Sequence, residues 1–229
     1  MTEIRVLPIA GIPEIAPGDD VAEAIANAAG PGAVVDDDVI VVAQKIVSKA
    51  EGRLASGADK DAVVLEESRR ILRRTVGGTI IAETRHGHVC ANAGVDASNV
   101  EPGTFALLPL DPDLSARRIR SRLERLTGAR LAVVISDTFG RAWRLGQTNV
   151  AIGIAGLRPF NDYRGRADAF GQELTATIIC VADELAGAAE LVMGKADRIP
   201  AAIVRGAGVE PGRGAATEIV RSPAEDLFR

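Results

Sequence analysis

Asp137 and Thr138 stand at the end of the apolar run 131–136. They open the segment 137–149, which also carries Arg141, Trp143, Arg144, Gln147, Asn149 and two glycines. A carboxylate beside a hydroxyl suits a hard cation, and arginine forks with amides suit phosphate or carboxylate oxygens. Asp137 alone reads as a turn residue at a strand end, followed by a solvated basic loop. The crowding of the whole segment points instead to a site. Two other loops carry compatible chemistry. Ile12, Pro13, Glu14 and Ile15 form a proline-stiffened loop with one carboxylate, and Gly94-Val-Asp-Ala-Ser-Asn99 offers Asp96 to a cation and Asn99 to a nucleotide. Lys49 can add a point charge for phosphate. Taken singly, Asp96 is an Asx-turn residue, Lys49 a surface lysine and Glu14 a neighbour of a helix start. Magnesium or manganese is the cation that such oxygen donors favour.

The elements that must position these residues follow from local patterning. Residues 4–9 read as a short strand, and Asp19 or Asp20 caps a helix beginning near Val21. The run 39–43 has the length and apolarity of a buried strand, and 44–49 follow it at once. Residues 61–76 carry apolar positions at helical spacing and predict one amphipathic helix. Residues 79–83 and 88–91 predict a hairpin around Arg85-His-Gly87. A short strand is expected at 105–108. A basic helix is expected at 115–126, its arginines either a solvated face or a lure for an anionic substrate. Residues 150–156 are apolar and punctuated by glycine. Residues 173–193 begin ambiguously and become clearly helical, and 201–204 predict a last buried strand. The tail after Gly206 is expected to be mobile unless docked. Strands and helices alternate only loosely, with hairpins between them. That pattern predicts an α+β fold with mixed-sheet α/β character.

Composition narrows the function. The chain has 229 residues, enough for a sizeable core, and a formal net charge of −4, which argues against general nucleic-acid binding. Its two cysteines, Cys90 and Cys180, lie far apart without metal-ligand spacing, as expected for a cytoplasmic protein. His86 and His88 read first as a polar hairpin tip. No signal peptide or membrane span is expected. The chain contains no phosphate-binding loop of the Gly-Lys-Ser/Thr type, no dinucleotide fingerprint, no nucleophile elbow and no kinase signature. Nucleotide binding here therefore needs another architecture.

The motifs as a set resemble the coenzyme F420-0:L-glutamate ligase family, also called F420 gamma-glutamyl ligase. The resemblance is carried by residues 7–14 (Leu-Pro-Ile-Ala-Gly-Ile-Pro-Glu), 45–53 (Lys-Ile-Val-Ser-Lys-Ala-Glu-Gly-Arg) and 93–100 (Ala-Gly-Val-Asp-Ala-Ser-Asn-Val). It continues through 107–113, the segment 136–149 and 181–195. Six motifs in order, spanning nearly the whole chain, are far more specific than any one of them.

The resemblance implies a GTP- and metal-dependent ligase that adds L-glutamate to coenzyme F420-0, and further γ-linked glutamates, through an acyl phosphate. It implies Asp96, Asp137 and Thr138 as metal ligands, for two divalent ions (Mg2+ or Mn2+) with K+ as a further candidate. It implies Ile12, Pro13, Glu14, Ile15, Lys49 and Asn99 as nucleotide contacts. Gln44 stands where some relatives have a serine that touches GTP. Met193-Gly-Lys195 lies near a further nucleotide-binding stretch. From their chemistry, Arg141, Arg144 and Gln147 are expected to serve phosphate or substrate carboxylates, with Arg141 and Arg144 joining Asp137 in catalysis. The implied assembly is an intertwined homodimer, with a ligase domain over 1–206, a tail over 207–229 and no nitroreductase-like domain. Two alternatives compete. One is a related phosphoryl-transfer or amide ligase with another acceptor; the other is a silent module or ligase half of a larger bifunctional protein.

Overall fold

The structure is a computed structural model that describes residues 3–226. Its central sheet has the order β1 (Arg5–Pro8), β12 (Ala201–Arg205), β2 (Val39–Ala43), β8 (Ala132–Arg141) and β9 (Arg144–Ala155). All neighbours are antiparallel except β2 and β8, which run parallel, with Val39 opposite Ala132 and Ala43 opposite Ser136. β2 is apolar at every position because both faces are covered. Ile40 and Val42 face one core with Ile25, Ile119 and Leu123, while Val39 and Val41 face a second with Leu185, Ala186 and Ala189. The first core is closed by α1 (Val21–Ala29), α2 (Gln44–Ala50) and α4 (Pro112–Thr127), and the second by α5 (Val181–Met193). Asp20 caps α1 by accepting from the Glu23 N–H at 3.0 Å. α4 starts one turn earlier than its apolar stripe suggests, because Asp111 caps it and Pro112 suits the first helical position.

Residues between β2 and α4 build a smaller α+β unit. It contains β3 (Leu54–Ser56) paired with β7 (Thr104–Ala106), α3 (Lys60–Glu67), and the sheet β4 (Ser68–Arg74), β5 (Ile80–Thr84), β6 (Val89–Ala91). Its own core includes Val63, Val64, Ile80, Ala82, Val95 and Leu107. A further arm carries β10 (Phe160–Asp162) and β11 (Ile178–Cys180). The expected α+β class with a mixed sheet is what the structure has. No helix among the described residues is long and apolar enough to cross a membrane.

Three expectations need correction. The helix predicted over 61–76 ends at Glu67, where Ser68 turns extended and its hydroxyl bonds the Val64 carbonyl at 2.5 Å. β4 then runs on with register shifts between Ser68 and Arg70 and between Ile71 and Arg73. These bulges erase the period-two alternation by which a strand is recognised. The segment 137–149 is not a loop either. β8 and β9 continue through it as one long hairpin that turns at Ala142 and Trp143. Thirdly, the segment after Gly206 is docked. Pro211 bridges Leu157, Gly214 N–H donates to the Leu157 carbonyl at 3.0 Å, and Ala216 N–H donates to Asp113 Oδ1 at 2.9 Å. The same Asp113 oxygen accepts from Ile154 N–H of β9 at 2.8 Å, so one buried carboxylate ties the tail to the central sheet.

Asp38 is the buried ion-pair anchor of this sheet. It is 0% exposed, and its two oxygens accept from Arg205 Nε at 2.8 Å and Nη2 at 2.7 Å. Removing the carboxylate leaves Arg205, which is partly exposed, with the Ala33 carbonyl. Asp38→Ala is therefore expected to lower unfolding stability by about 1.5–3 kcal/mol, read from urea denaturation.

Candidate active site

The parallel pairing of β2 and β8 stops at Ala43 and Ser136, so β2 ends and β8 leaves its partner side by side on one edge of the sheet. β2 passes directly into α2 at Gln44, and β8 passes from Ser136 to Asp137. Crevices outside the carboxyl ends of neighbouring parallel strands are natural ligand sites. Two buried polar atoms here have no hydrogen-bond partner, Gln44 Nε2 and Ser136 Oγ. Gln44 is 2% exposed, and its Oε1 accepts from Ser48 Oγ at 2.7 Å, which leaves the amide N–H groups to whatever enters the crevice.

Two aspartates meet at this edge from different units of the fold. Asp96 comes from the smaller unit, where its backbone bridges Ala106 of β7. Asp137 comes from β8. Burial pushes the Asp137 carboxyl up to about 6, and the charge of Asp96 adds to that push; Thr138 N–H, Lys195 and Lys45 pull the other way. Burial also acts to raise Asp96, but hydrogen bonds from Lys45 and Ser98 outweigh it and hold that carboxyl below its ordinary value. Lys45 Nζ lies 2.7 Å from Asp96 Oδ2 and 2.6 Å from Ser98 Oγ, and Ser98 N–H donates to Asp96 Oδ1 at 2.8 Å.

A second lysine serves Thr138. Lys195 Nζ donates to Thr138 Oγ1, which donates to Asn149 Oδ1 at 2.6 Å, and Asn149 Nδ2 donates to Glu190 Oε2 at 2.9 Å. The chain of bonds fixes the hydroxyl across the β8–β9 pair, where Thr138 stands opposite Asn149. Asn99 Nδ2 reaches the Lys195 carbonyl at 3.3 Å, so the Asp96 loop and the segment after α5 touch. Asn99 holds a left-handed backbone, φ 54°, which asparagine tolerates well.

The structure thus brings together Asp96, Asp137, Thr138 and Asn99, and adds Lys45, Ser98, Lys195 and Asn149. Lys49 and Glu14 form an ion pair of their own, which seats the Ile12–Ile15 loop against α2. Ile15 is a core residue and Ile12 packs on that core, so their side chains anchor the loop and leave Pro13 and Glu14 at its exposed edge. Lys45 and Lys49, one helical turn apart, lie on the same face of α2. Arg141 and Arg144 lie elsewhere in the structure. They face each other at the hairpin tip, and Arg141 Nη2 donates to the Leu145 carbonyl at 2.6 Å. Four residues of strand put Arg141 about 13 Å beyond Asp137. Gln147 pairs with Gly140 on the same exposed stretch.

The donor set fits a hard cation held by few protein atoms. Among the described residues no group of three or more His, Cys, Asp or Glu converges. Two carboxylates and a hydroxyl leave the remaining coordination positions to water and phosphate oxygens, as is usual for magnesium. The ammonium groups of Lys45 and Lys195 already rest on oxygens of this set, which shows its appetite for positive charge. Thiol chemistry is not available beside it. Burial first, and then the charge of Asp137, push Cys90 up to about 12, so it stays a thiol.

Lys45 is a site residue that the sequence reading misses, though its one-turn offset from Lys49 is a usable signal. Lys195 is read there only as part of the Met193-Gly-Lys195 stretch; its contact with Thr138 has no signal in the sequence.

Comparison with known proteins identifies the family. Residues 10–206 match the family F420-0:Gamma-glutamyl ligase. The chain is similar to the coenzyme F420:L-glutamate ligase of Archaeoglobus fulgidus, 43% identical over 246 residues, covering 99% of this chain and 96% of the relative. It is similar to that of Methanothermobacter thermautotrophicus, 44% identical with 99% of both chains covered. The Methanopyrus kandleri ligase is also 44% identical, over 99% of this chain and 98% of the relative.

His88 packs its ring edge-on to Phe139 of β8, at 5.8 Å between centroids. Burial, and then the neighbouring His86, push it down from 6.5 to about 4. The unfolded chain therefore binds this proton more readily than the folded one. The stability that neutral His88 contributes is complete above pH 6.5 and is lost as pH falls toward 4. His88→Phe is expected to flatten that acid limb in denaturation curves measured from pH 7 to 4.

Proposed function

Because the chain belongs to the F420-0:gamma-glutamyl ligase family, we propose that it joins L-glutamate to coenzyme F420-0, using GTP and a divalent metal ion, in coenzyme F420 biosynthesis. The observation that carries this reading is the aspartate pair held between two lysines at the β2–β8 edge, beside buried donors with no partner. That set suits a polyanionic nucleotide and its cation better than any neutral substrate.

A carboxylate is a poor acyl donor and must first be activated. The γ-phosphoryl group passes from GTP to an oxygen of the acceptor carboxylate, releasing GDP and leaving an acyl phosphate. The glutamate amine then attacks the acyl carbon. The C–N bond forms, the C–O bond to phosphate breaks, and the amine proton passes to solvent. Magnesium or manganese, held by Asp96, Asp137 and Thr138, supplies neutralisation of phosphate charge when bound. Lys45 and Lys195 place positive charge beside the transferring group, and phosphate competes with Asp96 and Thr138 for them. Lys49 trades its Glu14 partner for phosphate, while Asn99, Gln44 and the Ile12–Ile15 loop contact the nucleotide. The same chemistry repeated on the product adds further γ-linked glutamates.

The protein works as a homodimer in the cytoplasm. The hairpin tip supports the dimer, since Trp143 is 86% and Leu145 97% exposed at the end of a projecting arm. Exposed apolar residues grouped on one element mark an interaction site. Arg141, Arg144 and Gln147 then serve anionic substrate at the subunit boundary. The double variant Trp143→Ser, Leu145→Ser is expected to halve the mass seen by light scattering while the circular dichroism spectrum is kept.

A mass-spectrometric assay tests the reaction. With coenzyme F420-0, L-glutamate, GTP and manganese or magnesium, the acceptor should gain one or more glutamyl units only when GTP is present. A folded, GTP-binding protein that adds none would send the search to another acceptor. Asp137→Asn should lose turnover by roughly 100-fold or more while its unfolding midpoint stays within that of the parent chain. Loss of folding in that variant would make the aspartate structural.

A further inference from the structure

A cavity of about 210 Å³ lies between the turn of the β5–β6 hairpin and the C-terminal segment, and none of the cleft residues lines it. Its walls carry Arg69, Arg85 and Arg221 against a single carboxylate, Glu83. The guanidinium donors are not exhausted. Arg69 stands 3.6 Å from Glu83 Oε1. Arg85 donates to the Glu66 carbonyl at 3.0 Å and lies 3.8 Å from Glu67. Arg221 donates to the Glu225 carbonyl at 3.4 Å. With five N–H groups each, they can take further oxygens. The second wall is closely fitted. Gly87 has φ +89°, and a Cβ there would come 3.1 Å from Val220 Cγ1, so the C-terminal segment closes directly over the turn.

His86 defines what else a ligand must carry. Its Nε2 lies 3.1 Å from the Leu110 carbonyl, which can only accept, so the ring proton sits on Nε2 and Nδ1 presents a lone pair. That Nδ1 is buried and has no hydrogen-bond partner among the described residues. A buried acceptor left unmade is costly, and such atoms call for an occupant.

We propose that this cavity binds a small oxyanion that brings its own hydrogen-bond donor, namely hydrogen phosphate or a free amino acid such as L-glutamate. The anionic oxygens take arginine N–H groups, and the ligand's O–H or N–H donates to His86 Nδ1. Bound there, the ligand clamps the C-terminal segment to the hairpin. Sulfate has the charge and shape of hydrogen phosphate but no proton to give, which makes it the discriminating probe.

The chain has only two histidines, so their imidazole nitrogens can be followed by 15N NMR and assigned with His86→Gln. Phosphate, L-glutamate and sulfate are titrated separately at matched ionic strength and pH 8, above the ordinary titration range of imidazole. The expected result is a saturable shift of His86 Nδ1 with phosphate or with glutamate, whichever is the natural class, and at least tenfold weaker response to sulfate. Arg69→Gln with Arg221→Gln should weaken the effective anion at least tenfold, whereas Lys49→Gln, altered in the cleft, should leave the response intact. Any of three results overturns the proposal: no saturable shift with either ligand, an equal response to sulfate, or a response lost in Lys49→Gln. The sulfate comparison needs no variant, so a misfolded mutant cannot shelter the idea.

Discussion

Two carboxylates cannot sit side by side in a poorly hydrated cleft without positive charge between them. Asp96 and Asp137 impose that constraint, and much of the architecture answers it. Asp96 raises the cost of ionising Asp137, and each has a lysine at hand. The four groups come from four places in the chain: the middle of β8, the loop before β7, the start of α2 and the residue after the α5 cap. The charges balance only when the small unit, the central sheet and α5 are all docked. Folding and site assembly are therefore one event.

The parallel β2–β8 pair is what makes that convergence possible. In a sheet otherwise antiparallel, it alone points two successive strand ends the same way. One end releases into a helix that carries Lys45 and Lys49, and the other into a hairpin that carries Asp137 and Thr138. The buried Asp38–Arg205 pair and the doubly used Asp113 carboxylate hold this sheet and its tail in register from the opposite side.

Much of this was legible in the sequence. Val39-Ile-Val-Val-Ala43 could only be a buried strand, and Asp111-Pro112 through Gly128 carries its own start and stop signals. Asp96, Asp137, Thr138 and Asn99 do converge, as motif chemistry and family resemblance together implied. What escaped has physical causes. β4 hid because its two bulges break the alternation that marks a strand. The 137–149 hairpin hid because polar side chains on an exposed two-stranded arm look like a loop when no core face is present. The contact of Lys195 with Thr138 hid because a side chain's direction after a helix cap is set by tertiary packing. The distance of Arg141 and Arg144 from Asp137 is a property of strand rise, invisible while the segment is read as a compact loop.

The central claim is that two aspartates and a threonine form half of a cation site whose other half is nucleotide phosphate. Manganese binding followed by electron paramagnetic resonance, with and without a non-hydrolysable GTP analogue, tests it most directly. The account predicts weak manganese binding to the protein alone and at least tenfold tighter binding with the analogue, the gain being lost in Asp96→Asn. Equal affinity with and without the nucleotide would contradict it.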